Sequence, residues 1–199
     1  MKRLGILLSG RGSNFEAIAR NIAAGTVDAE IAVVLSNRED ARGLVTARSL
    51  GLAAVCIPSK GMDRLAYDEL LLAELARHEV DLVCLAGYLR LLSSRFVRQF
   101  AGRILNIHPS LLPAFPGLDA QHQALEHGVK VAGCTVHFVD EDLDSGPILL
   151  QAVVPVCDDD TVETLSARIL VEEHRLYSEA LRIVISGSYR VVGRRVVST

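Results

Sequence analysis

The sequence lacks three things. None of its 199 residues belongs to an apolar run of about 18, so neither a transmembrane helix nor a membrane partner is expected. It has no long basic block: 21 Lys and Arg stand against 24 Asp and Glu, for a net charge of -3. Nucleic acid is therefore not an expected partner. It also has no close cysteine pair. Cys56, Cys84, Cys134 and Cys157 are far apart, three of them inside apolar runs where cysteine acts as a small buried hydrophobe. No Cys/His pair has zinc-ligand spacing. Neither a disulfide nor a metal is expected, which suits the cytoplasm. The N-terminal apolar stretch, Leu4–Leu8, is too short for a secretory signal, and no small-residue cleavage site follows it.

What is present is a globular composition, 50% hydrophobic and 23% charged, in a chain whose length suits one domain. Strands are expected over Leu4–Ser9, Glu30–Ser36, Ala53–Pro58 and Asp81–Gly87, with helices near Asn14–Ala24, Ala41–Leu50 and Met62–His78. In the last of these, Leu65, Leu70, Leu71, Leu72 and Leu75 make a broad apolar face. Such alternation predicts a Rossmann-like α/β fold, a mostly parallel sheet with right-handed crossovers. Runs such as LVCLAG are apolar without alternation, as in a sheet covered on both faces. After Gly102 the pattern changes. A strand Arg103–His108, a proline-rich loop, a short helix Ala120–His127 and two strands, Val131–Val139 and Pro147–Val156, follow. The seven-residue connection DEDLDSG is too short for a crossover, so these two strands should be antiparallel. A helix over Thr161–Ile185, opened by Asp158–Asp160, and a small hairpin about Gly193 come last. The parallel sheet is thus extended by antiparallel C-terminal strands, in a single domain of two lobes, about 1–102 and about 103–199.

Three stretches can carry chemistry. The first is SGRGSN, Ser9–Asn14, between a strand and a helix. A glycine-rich turn entering a helix points backbone N–H groups outward and favours an anion. The dinucleotide fingerprint wants a third glycine where Phe15 stands, and no Gly-Lys-Ser/Thr follows, so the turn suits one phosphate better than a pyrophosphate. The alternative is a tight turn with Ser13 or Asn14 as a plain N-cap. The second stretch is RILNIHPSLLP. Asn106 and His108 share one strand face at the C-terminal end, where open α/β sheets bind ligands. An amide and a protonated imidazole aimed at one point stabilise negative charge on oxygen; the alternative is a core histidine bonded to a carbonyl. The third is DEDLDSG. Its acids at 140, 142 and 144 imitate a calcium loop, but Ser145 stands where the glycine belongs and Gln151 where the glutamate belongs. Either this loop is merely solvated or one carboxylate turns inward to meet His108, favouring the imidazolium and fixing the ring. Spacing does not say which aspartate would do so. His78, His122 and His127 read as helix C-terminal residues, His137 as a strand-face neighbour of this region, and Glu172 with Glu173 as a surface pair.

SGRGSN after the first strand, LAGYLRLL at Leu85–Leu92, ILNIHPSLLP at Ile104–Pro113 and DxxLDSGPILLQ at Asp140–Gln151 occur in that order. In these the chain resembles the phosphoribosylglycinamide formyltransferases, folate-dependent enzymes of purine biosynthesis, from Leu4 to about Tyr177. The Asn-x-His-Pro-Ser strand and the Leu-Asp-x-Gly-Pro loop are similar across the wider formyltransferase superfamily, and the GSN turn and LAGYLRLL narrow the match. The resemblance implies transfer of the formyl group of 10-formyltetrahydrofolate to the amine of glycinamide ribonucleotide, with no metal. It implies Asn106, His108 and Asp144 as the catalytic trio. Gly12, Ser13 and Asn14 would hold the substrate phosphate, and Leu170, Val171, Glu172 and Glu173 its glycinamide and ribose, which takes Glu173 off the surface. Arg64, Leu89, Arg90, Leu91, Leu92, Asn106 and the loop residues Asp140, Glu141, Asp142, Leu143 and Asp144 would hold the folate. A monomer or a homodimer fits. The chain departs from some members at Asp119 and Gln121, where they carry histidines, and at Ser178, where proline is common.

Three rivals follow from the same residues. Formyltetrahydrofolate deformylase turns the same trio on water, but usually carries an added N-terminal domain, whereas this chain starts at its first strand. Methionyl-tRNA formyltransferase has an appended C-terminal barrel and a basic surface. A non-catalytic nucleotide-binding module gives no reason for Asn106, His108 and Asp144 to occur together.

Overall fold

The N-terminal apolar run becomes β1 (Lys2–Leu8), and its Leu4, Ile6, Leu7 and Leu8 are fully buried in the computed structural model, which describes residues 1–199. The chain divides into two units, Met1–Asn106 and Ile107–Thr199, so the boundary falls inside the fifth strand and not at residue 102.

In the first unit α1 (Ser13–Ala23), β2 (Ala29–Ser36), α2 (Arg42–Ser49), β3 (Ala54–Cys56), α3 (Arg64–Arg77), β4 (Leu82–Leu85), α4 (Ser94–Gln99) and β5 (Ile104–His108) follow β1. The strand order is β3-β2-β1-β4-β5, every pairing parallel. The order reverses between β1 and β4. Beyond the C-terminal ends of two such strands lies the crevice in which doubly wound sheets take ligands. Asp63 starts α3 by accepting the Leu65 and Ala66 N–H groups.

Some expectations need correction here. The third strand is only three residues long. The face that α3 buries is carried by Tyr67, Asp68, Leu71 and Leu75, while Leu65 and Leu70 are about half exposed, at 54% and 45%. A run of leucines on successive turns looks like one broad stripe, but only the spacing 67, 71, 75 keeps to a single face. Helix α4 was not expected at all. It has six residues and is capped by Ser93 accepting the Phe96 N–H, too short for a helical period to be visible.

The second unit contains α5 (Ala120–Glu126), β6 (Val131–Phe138), β7 (Ile148–Pro155), α6 (Val162–Ser186), β8 (Tyr189–Val192) and β9 (Arg195–Ser198). Strands β6 and β7 are antiparallel, as their short connection requires. The α/β class with antiparallel strands after a mostly parallel set is therefore as expected. The terminal hairpin turns at Gly193 between β8 and β9, and β9 lies parallel to β7 through Ile148 and Arg195. Helix α6 sends Leu165, Ile169, Glu173, Leu176 and Ala180 inward at helical spacing and packs on β6 and β7. It opens with Thr161 and Thr164 capping each other. Of the three preceding aspartates, Asp160 does more than face the helix dipole. It grips Arg168 with both oxygens, at 2.7 and 2.8 Å, and this pairing holds its carboxyl well below the usual carboxylate range. His122 is the third residue of α5, pairing with Glu126, and so does not lie at a C-terminal end as His78 and His127 do. No helix is long and apolar enough to cross a membrane.

Gly133 sits in β6 where a side chain has no room. A Cβ there would overlap the Ala152 carbonyl oxygen of β7 and lie 2.8 Å from Leu111 Cδ2. Gly133→Ala is expected to cost about 3 kcal/mol and lower the melting temperature by roughly 6–12 °C; a melt within two degrees of wild type, "two" being about the scatter of such a measurement, would contradict this account.

Candidate active site

The turn after β1 enters α1 through Gly12, the N-cap residue, whose φ of 82° is left-handed. A Cβ on Gly12 would also lie 2.9 Å from the Gly43 Cα, so a glycine is required twice over. Neither Ser13 nor Asn14 is the N-cap: Ser13 is already helical, and no side chain caps α1. The first helical bond is Glu16 N–H to Gly12 carbonyl, at 2.9 Å. The plain-cap reading of Ser13 or Asn14 therefore falls away, and α1 begins on the glycine backbone alone.

Beyond β4 the segment Gly87–Ser93 is fastened at both ends. The Leu89 N–H donates to the Ser9 hydroxyl at 2.9 Å, and the Ser93 N–H donates to the buried Asp68 carboxylate at 2.6 Å. In between, the Arg90 guanidinium lies over the Tyr67 ring, 4.6 Å from its centroid. Burial, and next the neighbouring Tyr67, push the Tyr88 phenol well above its usual range, so it stays neutral. Leu89 and Leu91 remain 64% and 56% exposed. Two exposed leucines thus stand on a backbone pinned beyond the C-terminal end of β4. Arg64, the first residue of α3, is exposed.

Strand β5 carries Asn106 and His108, two residues apart and hence on one face. His108 is buried, and its two ring nitrogens have different partners. Nε2–H donates to the Phe115 carbonyl at 2.8 Å, and Nδ1 faces Asp144 Oδ2 at 3.4 Å. A carbonyl only accepts, so Nε2 carries a proton and the Nδ1 edge is the one open to chemistry. The ring's orientation therefore comes first from the Phe115 backbone. The alternative of a core histidine bonded to a carbonyl is thus met at Nε2, although which carbonyl would serve leaves no trace in residue type.

Among the acids of the β6–β7 connection, Asp144 is the one that turns inward. Its side chain is 10% exposed; Oδ2 accepts the Gly117 N–H at 2.8 Å, and Oδ1 lies 3.7 Å from His137 Nε2. Its backbone is left-handed, with φ 47°. Glu141, Asp142 and Leu143 are exposed, and the Asp142 N–H closes a small turn on Asp140 at 3.2 Å. Arg194, at the tip of the terminal hairpin, donates to the Ser145 carbonyl at 2.5 Å. That contact was also absent from the sequence reading. The segment around 117–123 lies beside this loop: Asp119 is the left-handed N-cap of α5, and the Gln123 side chain donates to the Leu118 carbonyl at 2.8 Å.

On α6, Glu172 pairs outward with Arg175 at 2.8 Å and Val171 is 67% exposed, whereas Glu173 is buried. The surface reading thus holds for Glu172 and fails for Glu173, whose position falls on the helix's inward stripe. Burial, with Glu173 and Glu172 adding to it, pushes the Cys134 thiol up to about 12, so this cysteine is an inert packing group. Leu170 is half-buried.

The chain was compared with known proteins. The formyl transferase family model matches residues 2–181. The phosphoribosylglycinamide formyltransferase of Bacillus subtilis is 40% identical over 92% of this chain and 94% of its own length. The trifunctional purine biosynthetic protein adenosine-3 of Drosophila melanogaster is 45% identical over 94% of this chain, which spans only 14% of that relative's length. Among solved structures, glycinamide ribonucleotide transformylase 1 of Symbiobacterium toebii superposes with a TM-score of 0.98 at 54% identity, covering 100% of this chain and 94% of that one. A formyltetrahydrofolate deformylase of Pseudomonas syringae superposes with a TM-score of 0.93 at 29% identity, covering 99% of this chain and 65% of that one.

His137 is buried, with Nδ1–H directed at the Phe138 carbonyl at 2.9 Å. Burial holds it neutral, below the ordinary histidine value of 6.5; His108 adds to this, while Phe138, Asp144 and Asp140 pull the other way. The unfolded chain takes up this proton near that value and the folded chain does not. Stability should therefore fall as pH drops below about 6.5 and rise again with pH. In His137→Gln the melting temperature should fall less steeply between about pH 6.5 and 5 than in wild type. Equal slopes for the two proteins would show that another group carries the effect.

Proposed function

The chain belongs to the formyl transferase family, and from that premise we propose that it passes the formyl group of 10-formyltetrahydrofolate to the amine of glycinamide ribonucleotide. The observation that carries this reading is the inward turn of Asp144 onto the Nδ1 edge of His108, with Asn106 two residues earlier on β5. The higher identity to named glycinamide ribonucleotide formyltransferases than to a deformylase supports the same acceptor.

The neutral amine of the nucleotide attacks the formyl carbon, and the carbonyl electron pair moves onto the formyl oxygen. The Asn106 amide and an N–H of protonated His108 donate to that oxygen. Because Phe115 occupies Nε2, the Nδ1 edge serves it. Asp144 lies 3.4 Å from Nδ1, longer than a tight hydrogen bond, which leaves an Nδ1 proton available to a second acceptor. Collapse of the intermediate breaks the bond from carbon to the folate nitrogen N10. The amine loses one proton and N10 gains one, so the transfer needs no net acid or base. The Gly12, Ser13 and Asn14 turn takes the single phosphate. Arg64, Arg90 and the Leu89, Leu91 and Leu92 platform, with the Asp140–Asp144 loop, take the folate. Leu170, Val171, Glu172 and Glu173 take the glycinamide and ribose.

The test mixes the protein with 10-formyltetrahydrofolate and follows tetrahydrofolate. Product should form only when glycinamide ribonucleotide is added; product without it would make the protein a hydrolase. Asn106→Ala should lower kcat by about 10²–10³. Turnover within about twofold of wild type would remove Asn106 from the reaction. Asp144→Asn should lower kcat by about tenfold or more, since it removes the carboxylate that faces the Nδ1 edge of His108. Turnover within about twofold of wild type would leave Asp144 without this role.

A further inference from the structure

The reading above uses the turn after β1 and the segment after β4, but it gives no task to the residue that joins them. Ser9 is 1% exposed, and its hydroxyl is fully engaged. It accepts the Leu89 N–H at 2.9 Å and donates to the Asn37 side-chain oxygen at 2.6 Å. Its backbone N–H donates to the Gly87 carbonyl, also at 2.9 Å. Asn37 in turn donates to the Ser59 hydroxyl at 3.3 Å. One continuous chain of hydrogen bonds thus ties the C-terminal ends of β3, β2, β1 and β4, crossing the point where the strand order reverses. Ser9 grips the Gly87–Leu89 backbone at two points, and three residues later the chain reaches Gly12, where α1 begins.

We propose that Ser9 is a positioning residue that couples the phosphate-holding turn after β1 to the folate-holding backbone after β4, so that each substrate favours binding of the other. The inference rests on the folate and phosphate assignments proposed above. Ordering the turn around a phosphate fixes the β1 end and with it the Ser9 hydroxyl. That hydroxyl then holds the Leu89 N–H, so the folate meets a segment already ordered. The folate ordering that segment helps the phosphate by the same factor, because binding linkage is reciprocal. An apolar side chain at position 9 would leave the Leu89 N–H and the Asn37 oxygen without this partner.

Titration of tetrahydrofolate into the intact protein, with and without saturating glycinamide ribonucleotide, tests this directly, since the pair does not react. In wild type the nucleotide should tighten tetrahydrofolate by about fivefold or more. In Ser9→Ala tetrahydrofolate alone should bind about tenfold more weakly, and the tightening should fall below about twofold. Ser9→Thr, which keeps the hydroxyl, should restore most of it. Should Ser9→Ala not fold, Asn37→Ala removes the partner that orients the hydroxyl and should lower the same ratio. A wild-type ratio near one, or a ratio unchanged in Ser9→Ala or Asn37→Ala, overturns the proposal. If the wild-type protein forms no formylated nucleotide, the functional reading fails as well; normal transfer with an unchanged ratio sinks only the coupling.

Discussion

The arrangement of the second unit depends on a carboxylate that faces inward. A buried carboxylate is costly unless hydrogen-bonded and matched in charge. Asp144 meets that demand with the Gly117 N–H and the Nδ1 edge of His108, while the neutral His137 ring lies 3.7 Å from its other oxygen. The surrounding backbone is shaped by the same demand. Asp144 takes a left-handed φ of 47°, and Phe115 takes one of 50°, with its carbonyl on His108 Nε2. Gly146 passes so close to the Phe138 carbonyl that a side chain would overlap it. Two non-glycine residues held left-handed within one small region store strain of order 1–3 kcal/mol each, which is compatible with a stable fold only where other contacts fix them. Here those contacts are the groups around Asp144.

The two imidazoles on Asp144 differ in a way that suits separate tasks. His137 is held neutral by burial, and its Nδ1–H is spent on the Phe138 carbonyl. Its Nε2 is then an unprotonated acceptor and adds no charge beside Asp144. His108 instead turns its Nδ1 edge to the carboxylate at 3.4 Å. Had both rings been charged, each would have weakened the other's hold on Asp144, since like charges at this distance disfavour ionisation.

Much of this was legible from residue order, for physical reasons. Alternating apolar runs and helical patterns determine a parallel sheet because burial on both faces needs them. A seven-residue connection determines an antiparallel pair because nothing longer fits. The shared face of Asn106 and His108 follows from the strand period alone. What was not legible depends on backbone rather than side-chain type. Asp140, Asp142 and Asp144 recur every second residue in a loop, where no period applies, and only the left-handed φ at 144 selects the one that turns in. The Phe115 carbonyl and the Gly117 N–H are main-chain atoms and carry no signal. Glu173 is the opposite case. The spacing 165, 169, 173, 176, 180 already put it on the buried stripe, but its charge suggested solvent.

The strand ends of the first unit show why small polar residues recur there. Ser9 and Asn37 directly follow β1 and β2, and Ser59 comes three residues after β3, positions that alone would need only a turn. Two of them, Ser9 and Ser59, are nevertheless buried, at 1% and 8% exposure. A buried hydroxyl without a partner costs more than it returns, so the three satisfy one another. The ends of the strands are thereby fixed in relative position by their own side chains. A ligand site built on such ends is rigid before the ligand arrives, and less ordering free energy is spent when it binds. Replacing any link with an apolar residue would not empty the crevice. It would let each strand end move by itself, so that the turn after β1 and the segment after β4 would then be ordered separately.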